Sequence, residues 1–271
     1  MYISDLDGTL LNRGAELSER SRDALNRVIA AGHCFSIATA RTAATAVRIM
    51  EGVNLNLPVV LMNGVAIYDT ARRKYISATP VPAEVSRGVI AAMNRLGMGR
   101  ACMMYEIRDG KLECYYESLE HVPIRDFVND RIKRYNKVFR QAESFSDVKP
   151  GNIAYFTFLD THERLSPVLD SISGLPVSAA LYPDNYSDLW YLEVFSESAS
   201  KRSAVVRLRE MFGFGRVVCF GDNLNDLPMF EACDVRIAPQ NARPEVLACA
   251  DIVCGGNDAD GVANWLLKNL P

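Results

Sequence analysis

Ile3-Ser4-Asp5-Leu6-Asp7-Gly8-Thr9-Leu10 stands at the head of the sequence, and its reading decides the fold. Ile3-Ser4 is the start of a very short strand. Two carboxylates, Asp5 and Asp7, follow two residues apart, so an extended backbone projects both to the same side. Gly8 then lets the chain turn away. In doubly wound sheets, ligands sit just beyond the carboxyl ends of the strands. Two bare carboxylates ~4 Å apart at an effective dielectric of ~20 repel by roughly 4 kcal/mol. A cation, or one protonated member, relieves that repulsion. The six-residue string DLDGTL at the end of a first strand is far more specific than its DxD pair.

Outward from this string, strands and helices alternate. Ser18 is an N-cap for a helix running to Ala31, with Leu25, Val28 and Ile29 on its apolar face and Gly32 as its stop. Residues 33–38 read as a strand, 42–50 as a helix and 59–62 as a buried strand. Ala66 to Tyr68 and Lys74 to Ala78 form a hairpin around Asp69-Thr70. Such alternation implies a parallel sheet covered on both faces.

The middle of the chain has another texture. Pro80-Val81-Pro82 is a hinge. Helices over 84–96, 124–135 and 163–172 mix with a hairpin around Asp109-Gly110 and with strands over 153–159 and 177–181. This pattern suggests an α+β layer with an antiparallel sheet. From Tyr191 the first texture returns: strands over 191–195, 217–220, 235–237 and 252–253, and helices over 201–212, 227–232 and 262–270. The expected architecture is α/β: a Rossmann-like doubly wound parallel-sheet core, residues 1–80 and 191–271, with an α+β domain inserted at 81–190.

Composition bounds the partners. The chain has 271 residues, 49% of them hydrophobic and 23% charged, which excludes disorder and collagen-like repeats. Lys and Arg number 30 against 33 Asp and Glu, without the basic excess of a phosphate-backbone binder, so no nucleic-acid partner is expected. No apolar run approaches the ~20 residues that span a bilayer, and the N-terminus does not read as a signal peptide, so neither a membrane partner nor export is expected. The seven Cys form no CxxC pair, and most sit in apolar runs such as Val217-Val218-Cys219-Phe220. They read as small buried hydrophobes in a reducing cytoplasm.

A second acidic cluster is Gly221-Asp222-Asn223-Leu224-Asn225-Asp226, after the strand that ends at Phe220. Asp226 is placed to cap the helix that follows, with Pro228 in its first turn. Asp222, directly after Gly at a strand end, has the position of a metal ligand. Oxygen-only ligands with no His or Cys nearby favour magnesium over zinc. Thr39, at another strand end, offers a hydroxyl and an N–H. Lys201 starts a helix, where a cation opposes the helix dipole. That mismatch suggests that anions hold it there. A solvated surface position is the competing expectation.

These four segments resemble motifs one to four of the haloacid dehalogenase superfamily. The large insertion, the run GDNLND, Met62-Asn63-Gly64-Val65-Ala66-Ile67-Tyr68 and the late Asn257-Asp258-Ala259-Asp260-Gly261-Val262 resemble its Cof-type sugar-phosphatase-like branch, whose members carry a large α/β cap. The resemblance implies a phosphoric monoester hydrolase. In it Asp5 is the nucleophile that takes the phosphoryl group, and Asp7 is the acid to the leaving alcohol and then the base for water. Thr39 hydrogen-bonds the phosphoryl oxygens, and Lys201 neutralises charge on nucleophile and phosphate. Mg2+ is held by Asp5, Asp222 and the carbonyl of Asp7. Asn225 binds substrate phosphate, and Asp226 orients Lys201 or a metal-bound water. Ala40, Arg41 and Asn63 are further core-side substrate contacts, and residues 182–190 (YPDNYSDLW) are candidates on the cap, where Trp190 and Tyr191 also suit hinge packing.

The implied activity is Mg2+-dependent hydrolysis of small phosphorylated metabolites, sugar phosphates among them, by a monomer or weak homodimer. A phosphotransferase or phosphomutase on the same site, and a non-catalytic phosphate-ligand binder, are the alternatives. Four acidic side chains against one Lys leave three surplus negative charges, which calls for the metal. Two departures from the family pattern stand out: Thr39-Ala40-Arg41 replaces Thr-Gly-Arg, and Arg202 replaces the Gly after the lysine. A positive φ at residue 40 would strain Ala40.

Overall fold

The computed structural model describes residues 1–148, 151–184 and 187–270. The chain divides into two compact units, Met1–Ile76 with Ser200–Pro271, and Ser77–Ala199. The first unit opens with β1 (Tyr2–Ser4), β2 (Phe35–Ile37), β3 (Val59–Leu61), β4 (Ala66–Asp69) and β5 (Lys74–Ala78), which leads out of it. The second holds β6 (Cys102–Arg108), β7 (Lys111–Tyr116), β8 (Arg140–Gln141), β9 (Ile153–Asp160), β10 (Val177–Pro183) and β11 (Trp190–Ser196). The chain returns to the first unit as β12 (Val218–Phe220), β13 (Val235–Pro239) and β14 (Ile252–Cys254).

In the first unit a five-stranded sheet runs β14-β13-β12-β1-β2, parallel throughout. A bridge from Ala38 to Val60 carries it on to β3, which starts the small sheet β3-β4-β5. The central strands are short and apolar because both faces are covered. Ile3, Val60, Leu208, Cys219 and Phe230 are buried in one cluster there. The chain leaves β1 toward β2 and later returns on its other side at β12. The ends of β1 and β12 therefore flank the point where strand order reverses, the usual ligand position in such sheets.

Local signals operate as read. Ser18 accepts a hydrogen bond from Ser21 N–H and starts the helix Glu19–Ala30. The helix Lys201–Phe212 starts with a reciprocal cap between Ser200 and Ser203. Asp109 and Gly110 both take positive φ, 52° and 74°, and close the β6–β7 hairpin. The seven cysteines are free, four of them buried, while Cys249 is exposed. No helix among the described residues is long and apolar enough to cross a membrane.

One expectation needs correction. The strand read at 191–195 as the first of the returning core is β11, which pairs antiparallel with β10 and β9 inside the second unit. A strand buried on both faces looks alike in a parallel sheet and at the centre of an antiparallel one, so its sequence could not place it. Trp190 and Tyr191 pack within that unit: Trp190 lies edge-on to His162 and Tyr191 stacks on Tyr182. Asn185 and Tyr186 of the YPDNYSDLW stretch lie outside the described residues.

The second unit's sheet runs β10-β11-β9-β6-β7-β8, antiparallel except for the parallel β7–β8 edge. Phe156, Phe158 and Leu192 pack with Val89 and Met93 of helix Ala83–Arg95 and with Leu165 of helix His162–Ile172. Glu193 is buried and accepts a hydrogen bond from Tyr155 Oη at 2.7 Å. Burial pushes its carboxyl above the usual range, and hydrogen bonds from Tyr155 and Tyr182 only partly oppose this. A carboxyl raised by folding contributes its full stability below its unfolded pKa and loses it as pH rises through the folded value. Glu193→Gln, which mimics the protonated form, is therefore expected to gain stability relative to wild type as pH rises from 5 to 8. Melting temperatures of both proteins across that range test this. A difference that does not change with pH contradicts it.

Candidate active site

Asp5 follows β1 directly, with its N–H donated to Phe220 O at 2.9 Å and its side chain buried. The extended run stops there. Leu6–Leu10 wind into a turn broken at Asp7 (φ −73°, ψ 119°) and Gly8 (φ 80°). The two carboxylates differ in setting: Asp5 is buried, while the Asp7 side chain is half exposed and paired with Arg41. Gly8 is needed for more than its φ. A Cβ there would fall 2.3 Å from Asp222 Oδ2. Thr9 Oγ1 then donates to Asp222 Oδ1 at 2.6 Å, so the turn after β1 holds the carboxylate that follows β12.

Lys201 is buried, not solvated. Its Nζ lies 2.6 Å from Asp5 Oδ1 and 2.6 Å from Asp226 Oδ1. Burial opposes its charge, but the two carboxylates, Asp226 and then Asp5, outweigh it and hold the ammonium above its ordinary range. The cation that opposes the helix dipole is thus fixed by anions, as its position implied.

Asp226 caps in an unexpected direction. The helix Leu227–Glu231 receives no side-chain cap from it. Its Oδ2 instead accepts from the N–H groups of Asp222 at 2.9 Å and Asn223 at 3.0 Å, upstream of it. The cause is the preceding short turn, Leu224–Asp226, in which Asn223 and Asp226 cap each other. A Cβ at residue 221 would come within 2.6 Å of Asp226 Cβ, so Gly221 makes this fold-back possible.

Thr39 follows β2, fully buried, with its N–H on Val60 O and its carbonyl accepting from Asn63 N–H at 3.1 Å. Its hydroxyl accepts from Arg41 N–H at 3.2 Å. Ala40 takes no positive φ, so the strain expected of an Ala in place of Gly does not arise. The left-handed conformation falls on the next loop, at Met62 (φ 54°), Asn63 (φ 55°) and Gly64 (φ 93°). A Cβ on Gly64 would sit 1.9 Å from Ser200 O, so this loop packs against the start of the lysine's helix. Asn225 Nδ2 donates to Asn63 Oδ1 at 3.1 Å, bringing two expected substrate contacts together. Arg202 lies on the surface beside Glu231 at 3.5 Å.

Arg41 alters the charge count. Its guanidinium makes two bonds to Asp7, Nε to Oδ2 at 2.7 Å and Nη2 to Oδ1 at 2.5 Å. The four carboxylates thus face two cations rather than one, and the surplus is two negative charges. Burial pushes Asp5 well above the carboxylate range. Lys201 opposes the shift, and Asp226, Asp222 and Asp7 add to it. Burial likewise raises Asp222 to about 6, against the hydrogen bond from Thr9.

The residues fit a divalent cation. Carboxylate oxygens of Asp5, Asp222 and Asp226 all lie within 4.8 Å of one another, with no His or Cys in the group. Both oxygens of Asp226 are already committed, one to Lys201 and one to two backbone N–H groups. Asp5 and Asp222 are engaged through Oδ1 alone among the described residues. Two half-engaged carboxylates with raised pKa, Asp5 buried and Asp222 partly so, are suited to a hard cation such as Mg2+. Asp7 lies outside that group and engages Arg41 through both carboxylate oxygens.

Two asparagines were not singled out for the site. Asn241 Nδ2 donates to Gly8 O at 2.7 Å and its Oδ1 accepts from Asn257 N–H at 2.9 Å. Asn257 Nδ2 reaches Leu11 O at 2.8 Å. Together they tie the turn after β1 to the end of the chain. Asn257 carried a signal, as the first residue of NDADGV, whereas nothing marks Asn241 in a polar loop.

Residues 2–266 match the haloacid dehalogenase-like hydrolase family, and the chain belongs to it. It is 27% identical over 274 residues to the pyridoxal phosphate phosphatase YbhA of Escherichia coli, covering 98% of this chain and 97% of that one. It is 24% identical over 283 residues to the 5-amino-6-(5-phospho-D-ribitylamino)uracil phosphatase YwtE of Bacillus subtilis, covering 97% and 95%. The solved structure of TM0651 from Thermotoga maritima superposes with a TM-score of 0.80 at 25% identity, covering 100% of this chain and 97% of that one. The chain is an enzyme of the phosphoric monoester hydrolase class.

The buried cation yields a prediction. Lys201→Met leaves Asp5 and Asp226 buried without their partner, and is expected to destabilise the protein by about 3–5 kcal/mol. Urea unfolding of the metal-free protein measures this. A loss below about 1 kcal/mol would contradict the pairing described.

Proposed function

We propose that the protein hydrolyses phosphate monoesters of small metabolites, with Mg2+ bound, through a phosphoaspartate on Asp5. The observation that carries this reading is Asp5 itself, a buried carboxylate at the strand-order reversal, held on Oδ1 by Lys201 at 2.6 Å. A carboxylate needs no base to become a nucleophile. Phosphoryl transfer asks mainly for positioning and charge neutralisation, which this cluster supplies.

The chemistry proceeds in two displacements. A carboxylate oxygen of Asp5 forms a bond to phosphorus as the bond to the alcohol oxygen breaks, and Asp7, which enters this step as the protonated acid, gives its proton to that departing oxygen. Water then attacks the same phosphorus while Asp7 takes one of its protons. The bond to Asp5 breaks, and inorganic phosphate leaves. Lys201 stabilises charge on Asp5 throughout, and the Thr39 hydroxyl and Asn225 amide orient the phosphoryl oxygens. Mg2+, held by Asp5, Asp222 and the carbonyl of Asp7, would neutralise charge on the phosphoryl group.

YbhA and YwtE are named as phosphatases of small phosphorylated metabolites, which supports a substrate of that size, sugar phosphates included. The seven free thiols support a reducing, cytoplasmic setting.

Phosphate release from p-nitrophenyl phosphate and from a panel of phosphorylated metabolites tests the reading. Activity is expected to need Mg2+, to vanish with a chelator, and to fall about 10³-fold or more in Asp5→Asn. No release by the wild type, or full activity in Asp5→Asn, would overturn it.

A further inference from the structure

We infer that Arg41 is a positioning residue for Asp7, acting on proton transfer to the leaving group rather than on the substrate phosphate. This rests on the role proposed for Asp7 above. The first observation is the fork. Nε and Nη2 of Arg41 meet the two oxygens of Asp7 at 2.7 and 2.5 Å, one bond to each, which fixes the plane of the carboxylate and not only its distance. A lysine, as a point charge, fixes no plane.

The second observation is how firmly the arginine itself is held. Its N–H donates to the Thr39 hydroxyl at 3.2 Å, and its carbonyl accepts from Met62 N–H at 3.1 Å. The Arg41 side chain is four-fifths buried, although its partner is half exposed. A pair with so exposed a carboxylate contributes little to folding stability. The arrangement therefore orients more than it stabilises. Asp7 needs that help, because its own backbone sits in a broken turn next to Gly8 rather than in a regular element. The same residue ties the proton-transfer group to Thr39, so acid and phosphate-binding hydroxyl share one support.

A leaving-group comparison separates this role from phosphate binding. A nitrophenolate leaves readily without a proton, whereas an alkoxide does not. Arg41→Ala and Arg41→Lys are assayed beside wild type on p-nitrophenyl phosphate and on glycerol phosphate, with Mg2+ present. The loss in kcat/KM is expected to be larger on the alkyl ester by about 30- to 100-fold, carried by kcat. In an Asp7→Asn background, Arg41→Ala is expected to cost less than about 3-fold more on the alkyl ester, because the group it positions is already gone.

Equal losses on both esters, carried by KM, would make Arg41 a phosphate contact and overturn the inference. So would full additivity with Asp7→Asn, or no loss in either variant. If Arg41→Ala fails to fold, Arg41→Lys carries the comparison, since it keeps the charge and loses the fork. Failure of the wild type on both esters would instead overturn the phosphatase reading.

Discussion

Lys201 sits buried between Asp5 and Asp226, 2.6 Å from each, and the site is arranged around that cation. A lysine out of water is costly unless its charge is met, and each buried carboxylate has the same problem. Three elements are joined by meeting both needs at once: the end of β1, the start of the helix Lys201–Phe212 and the turn after β12. Removing any one group leaves the others with an unbalanced charge in a dry place. Asp226 carries this further. With one oxygen on Lys201 and the other on two backbone N–H groups, it converts the lysine's position into the conformation of the loop that presents Asp222.

The four carboxylates therefore divide by what they bind. Asp226 is committed to structure and Asp7 to Arg41. Asp5 and Asp222 keep an oxygen each uncommitted among the described residues, and both are pushed upward by burial. Glycine makes the crowding possible. At residues 8 and 221 a side chain would enter the space of Asp222 and Asp226, respectively. The acidic residues are close because the backbone between them has been stripped to its minimum.

Much of this was legible in the sequence, for identifiable reasons. Short apolar runs separated by helix-length amphipathic stretches indicate a parallel sheet, since the intervening helices supply the crossovers that parallel strands need. The carboxylates at strand ends, and a lysine where a helix prefers an anion, are the residues that the structure brings together. What stayed hidden depends on pairing. β11 carries the same apolar pattern in either kind of sheet, and only its neighbours β9 and β10 assign it. Asp226 had the right type and spacing to cap forward, yet a turn of three residues made it cap backward. Arg41 beside Asp7 and Asn241 beside Gly8 are contacts across long sequence separations, and no periodicity encodes them.

The order of the strands also sets the order of assembly. β1 lies between β2 and β12, and the amino group of Met1 donates to the carbonyl of Arg216, 215 residues away. Contacts of that span form late, because the loop must close before they return any stabilisation. On a ribosome, Asp5 emerges before Lys201, Asp222 and Asp226, which follow only after the whole second unit has been made. Until then Asp5 is an ordinary aspartate on an unfinished sheet edge. The buried charge cluster is complete only when the segment after the second unit has closed onto β1.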